Sequence, residues 1–472
     1  MATGRAVRRR DGPPRPTLPL RMTTPPTPRP DATGDAPAAP DPLAPDGDSP
    51  PRRHDPYAAL RVPDFRRYLL GNLVATIGTQ MQTVAVGWEL YERTRSPLAL
   101  GAVGLVQVVP VFALTLPAGH LADRVDRRRL LMAALALLAL ASAGLAIASR
   151  TRASVGWFYA ALFVAGVARA FQGPAKEALA PQLVPRELYA NSSTWRSSAW
   201  QLASVVGPSL GGVVIATFHG AVVAYLLDAV AALVFASLIA TTAPRPFVPA
   251  AGAATLHSLL EGIRFVRRTK VILAAITLDL FAVLLGGATT LLPIYARDIL
   301  HVGPTGLGWL LAAPSVGALG MALTLAHRPP MGRAGRALVV AVTGFGLATI
   351  VFGLSRSFWL SLVALLLTGA FDNVSVVVRS TLFQLLTPDE MRGRVGAVNS
   401  FFIGGSNELG GFESGALAQL VGATASVVIG GVGTILVVLV VARVWPEIAR
   451  LGPLTEGLGA RREGGGAGAA PA

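Results

Sequence analysis

Cysteine is absent from all 472 residues, so disulfides, iron–sulfur clusters and cysteine-ligated zinc are excluded. Charge is scarce as well: Asp, Glu, Lys and Arg make up 14% of the chain, against about 25% in an ordinary soluble protein. Lysine is almost missing, since Lys176 and Lys270 stand alone among 41 basic residues. Neither sits in the Gly-Lys-Ser/Thr context that lets a lysine reach nucleotide phosphates, which removes ATP hydrolysis by that route. The six histidines (His54, His120, His219, His257, His301 and His327) fall in tails, loops or span ends. None is placed to ligate haem or a metal inside an apolar core. No cofactor, resident metal or catalytic constellation is expected.

What the chain does have is apolar surface. Hydrophobic residues make up 52% of it, and the mean hydropathy is +0.54. So little charge cannot cover a soluble protein of this size, which makes lipid the solvent for most of the surface. The net charge of +15 could suggest a nucleic-acid partner, but that reading needs a basic stripe on a soluble fold. Here the arginines separate long apolar runs. A soluble enzyme and a nucleic-acid-binding protein are both excluded.

Residues 1–56 hold 15 of the 35 prolines and few large apolar side chains. Such a segment buries too little to offset its chain entropy, so a disordered tail is expected. The tail 444–472 is expected to be loose for the same reason. Between them lie twelve apolar segments of the length that crosses a bilayer core about 30 Å thick. They are too long and too uniformly apolar for barrel strands, which leaves an all-α membrane protein. Loops following even-numbered spans carry 17 basic residues and those following odd-numbered spans carry 6. By the bias of Arg and Lys toward the cytoplasmic side, both termini are expected inside, in the inner or plasma membrane.

The chain is internally duplicated. Leu183-Val184-Pro185-Arg186-Glu187-Leu188 returns 203 residues later as Leu386-Thr387-Pro388-Asp389-Glu390-Met391. The same offset carries Gly166 to Gly369, Gly207 to Gly410 and Gly212 to Gly415. Upstream the offset is 207, taking Gly101 to Gly308, His120 to His327 and Arg129 to Arg336. This predicts parallel six-helix repeats over 57–243 and 271–443, joined by a cytoplasmic linker over 244–270. In the linker, Leu256, Leu259, Leu260, Ile263 and Val266 recur at helical spacing beside Arg264, Arg267 and Arg268. An amphipathic helix on the membrane surface is expected there.

Polar side chains within spans are costly and therefore informative. Span 1 carries Asn72, Thr76, Gln80 and Thr83 on one helical face, and span 4 carries Arg169, Gln172 and Lys176. Span 7 carries Asp279, Gly286 and Thr290, and span 10 carries Asp372, Ser375 and Arg379. The first and fourth helices of each half thus present a polar stripe, and the four stripes predict a shared cavity. The alternative is hydrogen bonding between helices without transport. Arg169 and Asp372 are equivalent under the 203 offset and are expected to face each other, either as a gate or as a permanent ion pair. Span 11 adds Glu408 and Glu413, about 140° apart around the helix. Together with Asp279 and Asp372 they are the candidate proton-coupling groups. Asp228 in span 6 is a weaker candidate that could simply bond a neighbouring helix.

Gly119-His120-Leu121-Ala122-Asp123-Arg124-Val125-Asp126-Arg127-Arg128-Arg129 resembles the signature loop of the major facilitator superfamily. Asp126 stands where the pattern has its second glycine. The resemblance implies a gating role for Gly119, Asp123, Arg124, Arg127, Arg128 and Arg129, with Asp123 near the start of span 11 in the outward-facing state. Leu292-Pro293-Ile294-Tyr295-Ala296-Arg297-Asp298 and Pro388-Asp389-Glu390-Met391-Arg392-Gly393-Arg394-Val395 resemble the branch of enterobactin exporters and macrolide-efflux proteins. So do Glu261 to Arg268 and the span 11 run from Ser406 to Gly415. Gly207-Pro208-Ser209-Leu210-Gly211-Gly212 resembles the antiporter motif of drug exporters, although Ala203 replaces its preceding glycine.

A proton-coupled exporter of a lipophilic or amphipathic small molecule, such as a drug or siderophore, is therefore expected, working as a monomer by alternating access. The rival readings are an importer or uniporter of a small metabolite and a non-transporting membrane sensor with the same fold.

Overall fold

The computed structural model of the protein describes residues 55–122, 124–244, 256–329 and 331–449. The expected disordered tail up to residue 54, the linker stretch 245–255, Asp123 and the tail beyond residue 449 lie outside the described residues. Among the described residues the structure is helical, without strands. In chain order come α1 (Pro63–Thr94), α2 (Pro97–Ala122), α3 (Arg127–Arg150), α4 (Val155–Leu179), α5 (Tyr189–Phe218) and α6 (Val222–Ala240). After α7 (Leu256–Arg268) come α8 (Lys270–Leu285), the short α9 (Leu292–Ile294), α10 (Gly303–Ala326), α11 (Ala334–Leu354), α12 (Phe358–Leu386), α13 (Asp389–Val421) and α14 (Ala423–Val444).

Ten helical segments among the described residues are long and apolar enough to cross a membrane. Helices α1 and α13 have the length but not the apolarity, because they carry Asn72, Gln80 and Gln82, and Asn407, Glu408 and Glu413. Large apolar side chains face outward: Leu140 is 68% exposed, Trp359 72% and Leu420 82%. Only lipid tolerates such a surface, so this is a multi-pass membrane protein. Inside, small residues let backbones approach closely.

Helix packing repeats with the duplication. In the first half α1 packs on α5 and α6, α3 on α4 and α6, and α2 on α4. In the second half α8 packs on α13 and α14, α11 on α12 and α14, and α10 on α12. The halves meet most extensively in two equivalent contacts, α2 on α13 and α10 on α5. Their closest points are the glycines that the offsets relate. A methyl group on Gly415 would lie 2.9 Å from Gly101 Cα, and one on Gly212 would lie 3.1 Å from Gly308 Cα.

Helix ends follow local chemistry. Pro63 opens α1, where its missing N–H costs nothing. Arg95 closes it in the left-handed conformation with φ 52°. Asp126, the residue that departs from the signature pattern, is the N-cap of α3: its Oδ1 accepts from the Arg128 amide at 2.9 Å.

Span 7 is not the continuous helix the sequence predicts. Helix α8 stops at Gly286, and the chain continues through a tight turn over Ala288–Leu291, α9, and a wide turn over Tyr295–Ile299. The break lies where backbone meets backbone: a methyl group on Gly287 would sit 2.5 Å from the Gly410 carbonyl oxygen. Helix α7 is also more than a surface anchor. Val266 packs with Val395 and Val398 of α13, and Glu261 pairs with Arg394 at 2.5 Å.

Candidate transport cavity

A cavity of about 210 Å³ lies between the halves. From the first half it is lined by Gln82, Thr83, Gly101, Gly104, Gln107 and Arg169. From the second half come Thr289, Thr290, Pro293, Leu307, Glu408 and Gly411. The guanidinium of Arg169 donates through Nη1 to Gln107 Oε1 of α2, and both side chains line the cavity. Glu408 stands over Gly104, where any side chain on α2 would collide with its carboxylate. One cation from the first half and one carboxylate from the second thus share a hollow, with no ion pair between them among the described residues.

The stripes contribute unequally. Of the four stripe residues on α1 only Thr83 lines this cavity, and its hydroxyl donates to the Thr79 carbonyl at 3.0 Å. Asn72 instead accepts from Lys176 Nζ at 3.2 Å, Thr76 returns its hydroxyl to the Asn72 carbonyl, and Gln80 is covered by Gly207 of α5. Gln172, between Arg169 and Lys176 on α4, is half-buried and outside the lining.

The expected span 7 face is divided by the break at Gly286. Thr290 lines the central cavity, whereas Asp279 is buried in the second half and pairs with Arg379. Ser375 is buried beside them and its carbonyl accepts from Arg379 Nε at 3.3 Å. Arg169 does not meet Asp372, as the equivalence of their positions had suggested. Asp372 lines a second hollow within the later half, and Arg169 turns to Gln107. Glu413 is half-buried and accepts from Ser414 Oγ at 3.3 Å, away from the cavity lining. Asp228 bonds its neighbours, accepting from Ser142 Oγ at 2.6 Å and Thr79 Oγ1 at 3.3 Å.

In the signature loop, Arg127 Nη1 donates to the Ala178 carbonyl at 3.2 Å, and Arg128 Nη2 donates to the Ala240 carbonyl. Cations there complement the negative ends of α4 and α6. Arg129 pairs loosely with Asp126 at 3.7 Å, the Arg124 amide bonds the Leu121 carbonyl, and Gly119 has open space around it. The loop therefore fastens helices of the first half together. The expected approach of Asp123 to span 11 lies outside the described residues.

Polar ties between the halves gather at the other end of the helices. Asp298 accepts from the Tyr91 hydroxyl and pairs with Arg95 at 2.9 Å. Arg297 pairs with Glu92 at 3.2 Å, and Ser96 Oγ donates to Gln419 at 2.9 Å. The sequence reading missed these ties, and it missed Gln82 and Gln107. Gln107 could have been noticed as the lone amide in the apolar run of span 2. Buried Gln82 donates to Ser142 Oγ at 2.8 Å, a partner no spacing rule identifies.

Comparison with known proteins fixes the family. Residues 54–449 match the family described as transmembrane secretion effector. The chain belongs to this family of major facilitator transporters. An enterobactin exporter of Citrobacter koseri is 26% identical over 389 residues, covering 82% of this chain and 93% of that one. A multidrug efflux pump of Mycolicibacterium fortuitum is 28% identical over 370 residues, covering 75% and 89%. Among solved structures, a bacterial homologue of the iron transporter ferroportin superposes with TM-score 0.65 at 19% identity, covering 83% of this chain and 99% of that one. The family and these relatives are transporters, not enzymes. This transporter accordingly takes small-molecule substrates through a fold shared with that neighbour.

Proposed function

We propose that the protein is a proton-coupled exporter that moves an amphipathic small molecule out of the cytoplasm by alternating access. The two halves, 57–243 and 271–443, act as the rocking bodies, and the tied end of the molecule faces away from the cytoplasm. The observation that carries this reading is the shared lining of one cavity by Arg169 and Glu408 from opposite halves. An ionised Glu408 attracts the first half through Arg169, and a protonated Glu408 does not, so proton binding changes the relative energy of the two conformations. The predominantly apolar rest of the lining suits an amphipathic solute better than a phosphorylated one. The outward direction is supported by the similarity to the enterobactin exporter and the multidrug efflux pump.

The test is flux in membrane vesicles under an imposed pH gradient, using a panel of lipophilic dyes and drugs. Outward transport that collapses when an ionophore dissipates the gradient supports the reading. Transport indifferent to the gradient sinks the coupling, and absence of any transport favours the sensor alternative.

A further inference from the structure

The second half contains its own hollow of about 200 Å³, which meets the central cavity at Thr289. Asp372, Asn407, Thr349, Thr368 and Phe345 line it. A narrow extension brings in Phe371 and Ser375 beside Asp279. Proton accounting gives this hollow an unusual character. Thr349 Oγ1 donates to the Phe345 carbonyl at 2.9 Å and Thr368 Oγ1 to the Leu365 carbonyl at 2.6 Å. Asn407 spends an amide hydrogen on the Ile403 carbonyl at 2.9 Å. Apart from the Thr289 hydroxyl and the second Asn407 amide hydrogen, what the hollow keeps for a ligand is lone pairs: two threonine hydroxyl oxygens and an amide carbonyl.

The charge balance points the same way. Arg379, the cation nearest in sequence, is neutralised by Asp279. Asp372 is exposed to the hollow and has no hydrogen bond or ion pair to any described residue. Among the described residues, no Lys, Arg or His lines the hollow. The aromatic rings are held against backbone: a methyl group on Gly286 would lie 2.8 Å from Phe345 Cε1, and one on Gly344 would lie 2.7 Å from Phe371 Cε1. An uncompensated carboxylate, surplus acceptors and fixed aromatic faces together match a group that is cationic, donates hydrogen bonds and has an apolar periphery.

We propose that this hollow is a subsite for an organic ammonium group, with Asp372 as its counter-charge and Phe345 and Phe371 as the faces on which it rests. The subsite deepens the transport reading on which it rests. The substrate is then an amphipathic amine whose charged end enters the second half while its body fills the central cavity. A carboxylate facing a hollow without a cationic partner is costly to maintain away from bulk water, and a cationic ligand offsets that cost by differential binding.

Two amphiphiles of similar shape and opposite charge, 4-phenylbutylammonium and 5-phenylpentanoate, test it by equilibrium binding to the purified protein in lipid nanodiscs. The wild-type protein should prefer the ammonium ion. Asp372→Asn should weaken ammonium binding by about tenfold, the usual scale for losing one charged partner, while leaving phenylpentanoate binding unchanged as the check that the variant is folded. Asp372→Glu should restore most of the preference. Equal affinity of the wild type for both ions overturns the proposal, as does an equal loss of both ions in Asp372→Asn or no loss at all. Binding needs no gradient, so failure here leaves the export reading intact, whereas failed flux with selective binding preserved counts against export alone.

Discussion

The hydroxyl of Tyr91 is bonded to the carboxylate of Asp298, and the two residues are equivalent positions of the duplicated chain, 207 apart. Equivalent residues touch only where they lie close to the axis relating the halves. The ends of the first and seventh spans therefore meet on that axis, and Arg95–Asp298 and Arg297–Glu92 bracket the meeting point. Asp298→Ala removes two ties at once. Exposed pairs contribute about 0.2–1 kcal/mol and a hydrogen bond to a charged group about 1.5–3 kcal/mol, enough to move a balanced equilibrium about tenfold. Because the chain has no cysteine, a single Thr290→Cys reporter can be labelled with a membrane-impermeant thiol reagent. Labelling from the tied side should rise in the Asp298→Ala background.

The glycine contacts of α2 with α13 and of α10 with α5 should respond alike. A side chain on Gly415 meets the Pro97 carbonyl at 2.7 Å, and one on its equivalent Gly212 meets the carbonyl of Pro304, the equivalent of Pro97. Gly415→Val and Gly212→Val should each hold the tied end apart, at a cost typical of overpacking, about 1–3 kcal/mol. Both should raise Thr290→Cys labelling to a similar extent. A response from only one of them would contradict the equivalence of the two contacts.

Asp279 and Arg379 form a buried ion pair, and we propose that the pair supports the fold and carries no coupling proton. Their side chains are 8% and 7% exposed, and breaking such a pair by removing one partner typically costs about 3–5 kcal/mol. Arg379→Met and Asp279→Leu should each lower thermal stability sharply, and the double variant should recover most of the loss. The pH dependence of transport in that double variant should match the wild type.

At the signature loop, the departure from the superfamily pattern has a local use. Asp126→Ala should destabilise the protein by about 1 kcal/mol by removing the α3 cap, whereas Asp126→Gly should cost only a few tenths. Thermal unfolding in detergent distinguishes them. No loss in Asp126→Ala would mean that the cap bond to Arg128 contributes nothing.

Much of the fold was legible because lipid simplifies the problem: spans show as apolar runs, and the duplication shows as conserved spacing between its own copies. The glycines related by 203 and 207 even mark where the halves touch. The site was harder to read. Arg169 and Asp372 are as equivalent as Tyr91 and Asp298, yet they do not meet: Arg169 is held by Gln107 at the cavity between the halves, and Asp372 lines a hollow within the later half. The face shared by Asp279 and Thr290 assumed an unbroken helix. The close approach of Gly287 to Gly410 ends that helix, and it depends on a segment more than 120 residues away in sequence. Gln107 was overlooked because its role comes from a partner on α4.

The most direct test of proton coupling is the pH-gradient dependence of substrate flux in vesicles containing Glu408→Gln. This change keeps the side chain's size over Gly104 and removes its ionisation. The variant should still exchange substrate down its own concentration gradient but should no longer accumulate it when a pH gradient is imposed. Accumulation at the wild-type level under the same gradient would contradict the assignment of Glu408 as the group that links protons to the movement of the two halves.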